Sequence, residues 1–271
     1  MDTEVDTTPG RDGSVEYSRE GDIAWIKLNR PRKLNALTDD MIKRLRAALV
    51  TYDEDEDARV AILHGAGKGF CAGADVFQRQ LRSRKDLEGS GGSQRRERLE
   101  DVVYGQENWK PIIGLVHGYA IGAGLGLLLE CEIVVADVET RFRVAETARG
   151  LGGTRNWALL RQKCNPSFAD ELALTDREFG AAEAREHGVI NFVAEGEQQL
   201  YEQARKYARL VADNPPLAVR LCVRTRRWEL ETAERLGVDR MAVAGLHESA
   251  DFHESASAWA EGRPPERFVG A

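Results

Sequence analysis

VEYSREGDIAWIKLN, residues 15–29, sets two runs rich in β-forming apolar and aromatic residues on either side of the polar Glu20-Gly21-Asp22. That pattern predicts two strands joined as a hairpin. Downstream, Met41, Leu45, Ala48 and Leu49 recur at helical spacing behind Thr38, a suitable N-cap, so a helix is expected there, ending at the acidic run DEDED. RVAILHG, PIIGLVHG and IVVAD are short, mostly apolar runs of strand length, and GYAIGAGLGLLLEC passes from glycines directly into a helical pattern. Strands alternating with helices in this way predict βαβ units. From about Glu197 the pattern turns helical throughout: QQLYEQARKYARLVADN, then PPLAVRLCVRTRRWELETAERL, then VDRMAVAGLHESADFHESASAWAEG. The expected layout is a disordered tail over 1–13, an α/β core over 14–196 and a helical region over 197–271. RSRKDLEGSGGSQRRERLE reads as a mobile loop entering a helix.

The chain has 271 residues, 42% hydrophobic and 31% charged, enough for a substantial core. A net charge of −7 argues against a general nucleic-acid surface, and no apolar run is long enough for a membrane span. The acidic, polar start is unlike a signal or transit peptide, so a cytoplasmic protein is the expectation. Four cysteines, Cys71, Cys131, Cys164 and Cys222, stand far apart without metal-ligand spacing and read as reduced thiols.

Chemistry concentrates at two small-residue turns, Ala72-Gly73-Ala74-Asp75 and Gly122-Ala123-Gly124. Two readings stand for each. Glycine permits a tight turn and nothing more, or small side chains let backbone N–H groups approach a ligand as an oxyanion hole does. The second turn also opens a helix, whose first N–H groups favour negative charge. Neither a dinucleotide fingerprint nor a P-loop fits, because no G-x-G-x-x-G in the required context and no Gly-Lys-Ser/Thr occurs.

NRPRKLNAL, GAGKGFCAGAD, KPIIGLVHGYAIGAGLGL, CEIVVAD, FRVAE and GGTR follow one another in the order and approximate spacing of the crotonase family, the enoyl-CoA hydratases and isomerases, and SADFHESASAWAEGRPPERFVG resembles its closing helix and tail. The resemblance spans about Val15 to Gly270. It implies a crotonase-like spiral of ββα/βαβ units with a helical C-terminal trimerisation region, assembled as a homotrimer or dimer of trimers. It also implies an acyl-CoA substrate, with coenzyme A arriving as part of it and no separate cofactor or metal.

By the same resemblance the N–H groups of Ala74 and Ala123 bind the thioester oxygen. Ala72, Gly73, Asp75, Gly122, Gly124 and Gly126 surround the bound acyl-CoA, and Arg32 and Lys33 offer cations to its phosphates, solvated surface charge being the competing reading. Arg79, Arg82 and Arg84 could add to them. Hydratases of the family use two glutamates. Here Glu146 matches the second, whereas the first position holds Gly126. Glu130 shares a helix face with Gly126 but lies about 6 Å further along the axis, so pairing with an arginine is its expected role. One base beside an oxyanion hole suits isomerisation, the pattern of the family's 3-enoyl-CoA to 2-enoyl-CoA isomerases; hydration or another one-base reaction of the family (dehalogenation, decarboxylation, hydrolysis or retro-aldol cleavage) is the alternative, and a noncatalytic CoA-binding protein is the reading from another class. ETARGLGGTRNW is also shorter than the family's usual stretch, which implies a changed wall around the acyl chain. Cys71 reads as packing, His117 as a hydrogen-bonding or catalytic group, Asp75 as a cap, and Trp157 and Phe77 as core or acyl-pocket residues. His247 and His253 read as helix-surface residues.

Overall fold

The computed structural model describes residues 13–79, 81 and 108–270. Most of the predicted tail, the mobile loop, and Arg82 and Arg84 lie outside them. Strands β1 (Ser14–Glu20) and β2 (Ile23–Asn29) form the predicted antiparallel hairpin, with Gly21 at φ +64° in its turn. Helix α1 (Asp39–Glu54) starts at Thr38, whose hydroxyl accepts from Met41 N at 3.1 Å. There follow β3 (Val60–Gly65), the single turn α2 (Val76–Arg79), β4 (Ile112–Val116), β5 (Tyr119–Ile121), α3 (Ala123–Glu130), β6 (Ile133–Asp137) and β7 (Arg141–Arg143). Next come α4 (Thr154–Lys163), α5 (Pro166–Thr175), β8 (Phe179–Gly180), α6 (Ala181–Glu186) and β9 (Phe192–Ala194). Three helices close the chain: α7 (Glu197–Ala212), α8 (Pro216–Ala244) and α9 (Ala250–Glu261).

Among the described residues the strands form a six-stranded sheet in the order β1-β2-β3-β4-β6-β9, parallel from β2 onward, and a smaller sheet β5-β7-β8. Side-chain alternation places Ile23, Trp25, Val60, Ile62, Ile113 and Leu115 on one face with Leu200, Ala204, Ala208 and Ala212 of α7. Ala24, Ile26, Leu28, Ala61 and Leu63 face the other way, onto α1 and the remaining core. Both faces are therefore covered, as a parallel sheet requires.

Two boundaries differ from the expectation. The sequence pattern divides the C-terminal helices near Gly237, yet α8 continues through it and ends at Gly245, φ +59°. Gly237 is there for close packing: a Cβ on it would lie 2.7 Å from the Thr154 carbonyl oxygen, and Thr154 Oγ1 donates to the Gly237 carbonyl at 2.6 Å. The second difference is the small sheet, whose strands of two or three residues are too short to show a period. It matters for the site, since β5 leads into the second glycine turn and β7 into the segment carrying Glu146.

Candidate active site

The two glycine turns are brought side by side. Cys71 N donates to Tyr119 O and Ile121 N to Cys71 O, both at 3.0 Å, so the first turn is stitched to β5. A Cβ on Gly73 would lie 2.7 Å from Ile121 O and 3.5 Å from Ala123 N, and one on Gly124 would lie 2.3 Å from Cys71 O. Gly73 has φ +92° and Gly122 φ +55°, backbone that glycine adopts without strain. Gly124 thus serves the contact between the turns.

Ala74 is bracketed by two bonds to the Leu37 backbone, Leu37 N to Gly73 O at 2.7 Å and Asp75 N to Leu37 O at 2.9 Å, and its own N–H stays out of that ladder. Ala123 is the first residue of α3, where an N–H has no intrahelical acceptor. Among the described residues neither N–H meets another acceptor. The surrounding loop is held by Asn35, which the sequence reading missed. It is buried at φ +56°, its Nδ2 donates to the carbonyls of Ala66, Gly69 and Phe70, and its Oδ1 accepts from Arg30 N. Asn tolerates left-handed backbone, and that is the signal in LNAL that could have found it. Asp75 accepts from Gln78 N at 3.0 Å and from Arg30 Nη1 at 2.6 Å, as expected of a cap.

Glu146 follows β7 and faces the same turns. Its Oε1 would lie 3.6 Å from a Cβ on Gly122, and it accepts from Asn156 Nδ2 at 2.8 Å; the same Nδ2 donates to the Gly122 carbonyl at 3.0 Å. Oε2 is buried without a hydrogen-bond partner among the described residues. The residue as a whole is partly exposed, but that oxygen is inside. Burial pushes the carboxyl up to about 8, the residue's own backbone N–H and then the Asn156 bond oppose this, and the nearby Asp176 charge adds to it.

The approach of the chain to Glu146 is itself constrained. Ala145 sits at φ +72°, a costly conformation for alanine, and its N–H donates to Asp176 Oδ1 at 2.5 Å. Arg143 Nη2 donates to Asp176 Oδ2 at 2.8 Å. Behind Glu146, Ser255 Oγ of α9 donates to Ala148 O at 2.9 Å, anchoring the turn to the C-terminal helix.

At position 126, where the resemblance implies the first carboxylate, two side chains of α4 lie close. A Cβ on Gly126 would lie 2.6 Å from Arg155 Nη1 and 2.9 Å from Asn156 Oδ1. Arg155 is ion-paired with Glu130, which is fully buried on α3, so the expected arginine partner is present. Gly126 therefore makes room for α4 side chains.

Other candidates sit further out. Arg32 and Lys33 are exposed, and Lys33 Nζ lies 5.9 Å from the ring of Phe77. Phe77 is 58% exposed and meets Trp259 of α9 edge-on at 5.5 Å, so it is not core. Trp157 is partly buried and donates to Asp170 at 2.6 Å. His117 Nε2 lies 2.8 Å from the Gly67 carbonyl, in line with its hydrogen-bonding reading. Cys71 is buried with its thiol pushed up to about 12, unsuited to nucleophilic attack. Among the described residues no group of His, Cys, Asp or Glu could hold a metal ion, and no helix is long and apolar enough to cross a membrane.

The family model described as enoyl-CoA hydratase/isomerase matches residues 18–268, and the chain belongs to that family. It is 34% identical over 258 residues to the mouse (Mus musculus) enoyl-CoA hydratase domain-containing protein 2, mitochondrial, covering 92% of this chain and 84% of the relative. It is 30% identical to the short-chain-enoyl-CoA hydratase of Clostridium acetobutylicum, covering 94% and 97%. A solved structure of methylmalonyl-CoA decarboxylase in complex with 2-nitronate-propionyl-CoA superposes with a TM-score of 0.79 at 25% identity, covering 95% of this chain and 99% of that one. The fold is accordingly the crotonase α/β fold, and the chain is an acyl-CoA enzyme of this family.

Proposed function

We propose that the protein is an enoyl-CoA isomerase, which moves a double bond from position 3 to position 2 of an acyl-CoA with one glutamate as proton carrier. The observation that carries this reading is glycine at position 126, with Arg155 Nη1 and Asn156 Oδ1 at 2.6 and 2.9 Å from where its Cβ would stand. In this reading the thioester oxygen accepts from Ala74 N–H and Ala123 N–H. Glu146 removes a proton from C2, and the electron pair delocalises over C2–C4 and the thioester as a dienolate. The same carboxyl returns the proton at C4, leaving the C2–C3 double bond. Charge on the oxygen grows as the dienolate forms, so the two N–H groups stabilise the transition state more than the ground state. A carboxyl held near 8 is matched to taking and returning a proton close to neutral pH. The nitronate-bearing ligand of the decarboxylase supports enolate chemistry on this fold.

Ala72, Gly73, Asp75, Gly122 and Gly124 shape the two turns, and Arg32 and Lys33 offer charge to the coenzyme A phosphates. Coenzyme A enters with the substrate, and the proton transfers need no metal or redox cofactor. Leu217, Leu221 and Trp228, exposed on α8, support a homotrimer or dimer of trimers built through the C-terminal helices.

A second reading, hydration of a 2-enoyl-CoA, is favoured by the names of the relatives. The test is to incubate the protein and its Glu146→Gln variant with a 3-enoyl-CoA in deuterated buffer and follow the acyl carbons by NMR. A 2-enoyl product that is absent with the variant is expected. A 3-hydroxyacyl product would replace isomerisation by hydration, and binding of acyl-CoA without reaction would point to a different acyl group or a noncatalytic role.

A further inference from the structure

We propose that Asn156 is the positioning residue of the site: its amide clamps one carboxylate oxygen of Glu146 to the Gly122 carbonyl, so that Oε2 alone exchanges protons with the substrate. The inference rests on the one-base reading above.

Asn156 is 2% exposed, in the first turn of α4. Its orientation is fixed by chemistry, because a backbone carbonyl can only accept, so the atom facing Gly122 O must be the amide nitrogen. That nitrogen has two hydrogens, and both are used: one on Gly122 O at 3.0 Å, the other on Glu146 Oε1 at 2.8 Å. Gly122 is the N-cap of α3, and the next N–H is that of Ala123. A single side chain therefore links the proton carrier to the turn that holds the oxyanion donor, and sets the spacing between them.

The clamp also leaves the two carboxylate oxygens unequal. Oε1 is engaged, whereas Oε2 is buried without a partner among the described residues. A symmetric carboxylate could offer either oxygen to C2 and C4; with Oε1 held by Asn156, Oε2 is the oxygen left free of hydrogen bonds, among the described residues, for that exchange in this proposal.

The charged groups around Glu146 are few and mostly engaged. From the end of α5 comes Asp176, held by Arg143 and by Ala145 N. From α4 comes Arg155, paired with Glu130 of α3. The turn after Glu146 contributes Arg149, whose guanidinium lies 5.0 Å from the Trp259 ring. Toward this turn α9 presents Ser255, with Phe252 packed on Gly150.

The test compares the wild-type protein with Asn156→Ala, Asn156→Asp and Glu146→Gln. The protonated-carboxyl band of Glu146 is followed by infrared difference titration, identified as the band that Glu146→Gln lacks. Turnover of 3-hexenoyl-CoA is measured from pH 6 to 10. Loss of one hydrogen bond to the charged form should raise the titration midpoint in Asn156→Ala by about one to two pH units. Asn156→Asp should raise it as well, since an acceptor and a like charge then face Oε1 and the Gly122 carbonyl alike, and far-UV circular dichroism with the urea midpoint identifies which variants are folded. In both, kcat should fall at least tenfold while KM changes less than threefold. Folded variants with the wild-type midpoint and kcat would overturn the role of Asn156 and leave the one-base reading standing. Turnover that survives in Glu146→Gln would overturn both.

Discussion

Replacing Glu146 by glutamine should change how stability depends on pH. Burial raises the Glu146 carboxyl from 4.5 to about 8, so the folded protein keeps a proton that the unfolded chain releases above 4.5. Between those values the folded state binds one more proton than the unfolded state, and unfolding free energy falls by about 1.4 kcal/mol per pH unit. The contribution is complete below pH 4.5 and lost as pH rises through 8, which makes the wild-type protein about 5 kcal/mol less stable at pH 9 than this group alone would leave it at low pH. Glutamine removes that dependence but has its own cost. Its carbonyl can still accept from Asn156, while its NH2 group replaces Oε2 in a buried position without an acceptor, a loss of about 1–3 kcal/mol at every pH. The variant should therefore be the less stable protein at pH 5 and the more stable one at pH 9, by about 2–4 kcal/mol, the curves crossing between about pH 5 and 7. Urea unfolding followed by tryptophan fluorescence at one protein concentration, at pH 5, 7 and 9, measures this directly. A difference between the two proteins that stays constant from pH 5 to 9 would refute the buried, proton-holding carboxyl and with it the base proposed for catalysis.

Two further substitutions probe the turns. Gly126→Glu should not create a hydratase, because its Cβ would collide with Arg155 Nη1 at 2.6 Å and Asn156 Oδ1 at 2.9 Å; the expected results are no 3-hydroxyacyl product by NMR and a stability loss of about 1–3 kcal/mol in urea. Gly73→Ala sets a Cβ 2.7 Å from the Ile121 carbonyl oxygen at φ +92°, a contact with backbone that cannot rotate away, and should lower kcat/KM by about 10²–10³ through displacement of the Ala74 N–H proposed as an oxyanion donor, measured by steady-state kinetics on the folded variant.

Much of the scaffold was legible because its signals are local. Gly21 between two β-rich runs marked the hairpin, and Thr38 before an apolar stripe marked the start of α1. The two glycine turns and Glu146 were singled out through motifs, each contained in a few consecutive residues, and the structure sets them side by side. The residues that give Glu146 its character were not. Asn156 and Asp176 act on Glu146 and Ala145 from α4 and from the end of α5, and nothing in GGTRNW or ALTDRE shows a side chain turned toward a particular carboxylate. Gly237 was misread for the same reason. A helical glycine suggests a break until Thr154 is seen packed against it.

The sequence by itself determined the alternation of strands and helices, the position of the two small-residue turns and the glycine at 126, since these are set by residue type and short-range spacing; that a carboxylate could be expected at 126 came from the resemblance to the family. Tertiary structure alone decided that the two turns meet, that Arg155 and Asn156 occupy the space Gly126 leaves, and that one oxygen of Glu146 is clamped while the other is buried. Those properties depend on distances between groups far apart in the chain and on the exclusion of water around them, and both arise only when the sheet, the glycine turns and α4 are packed together.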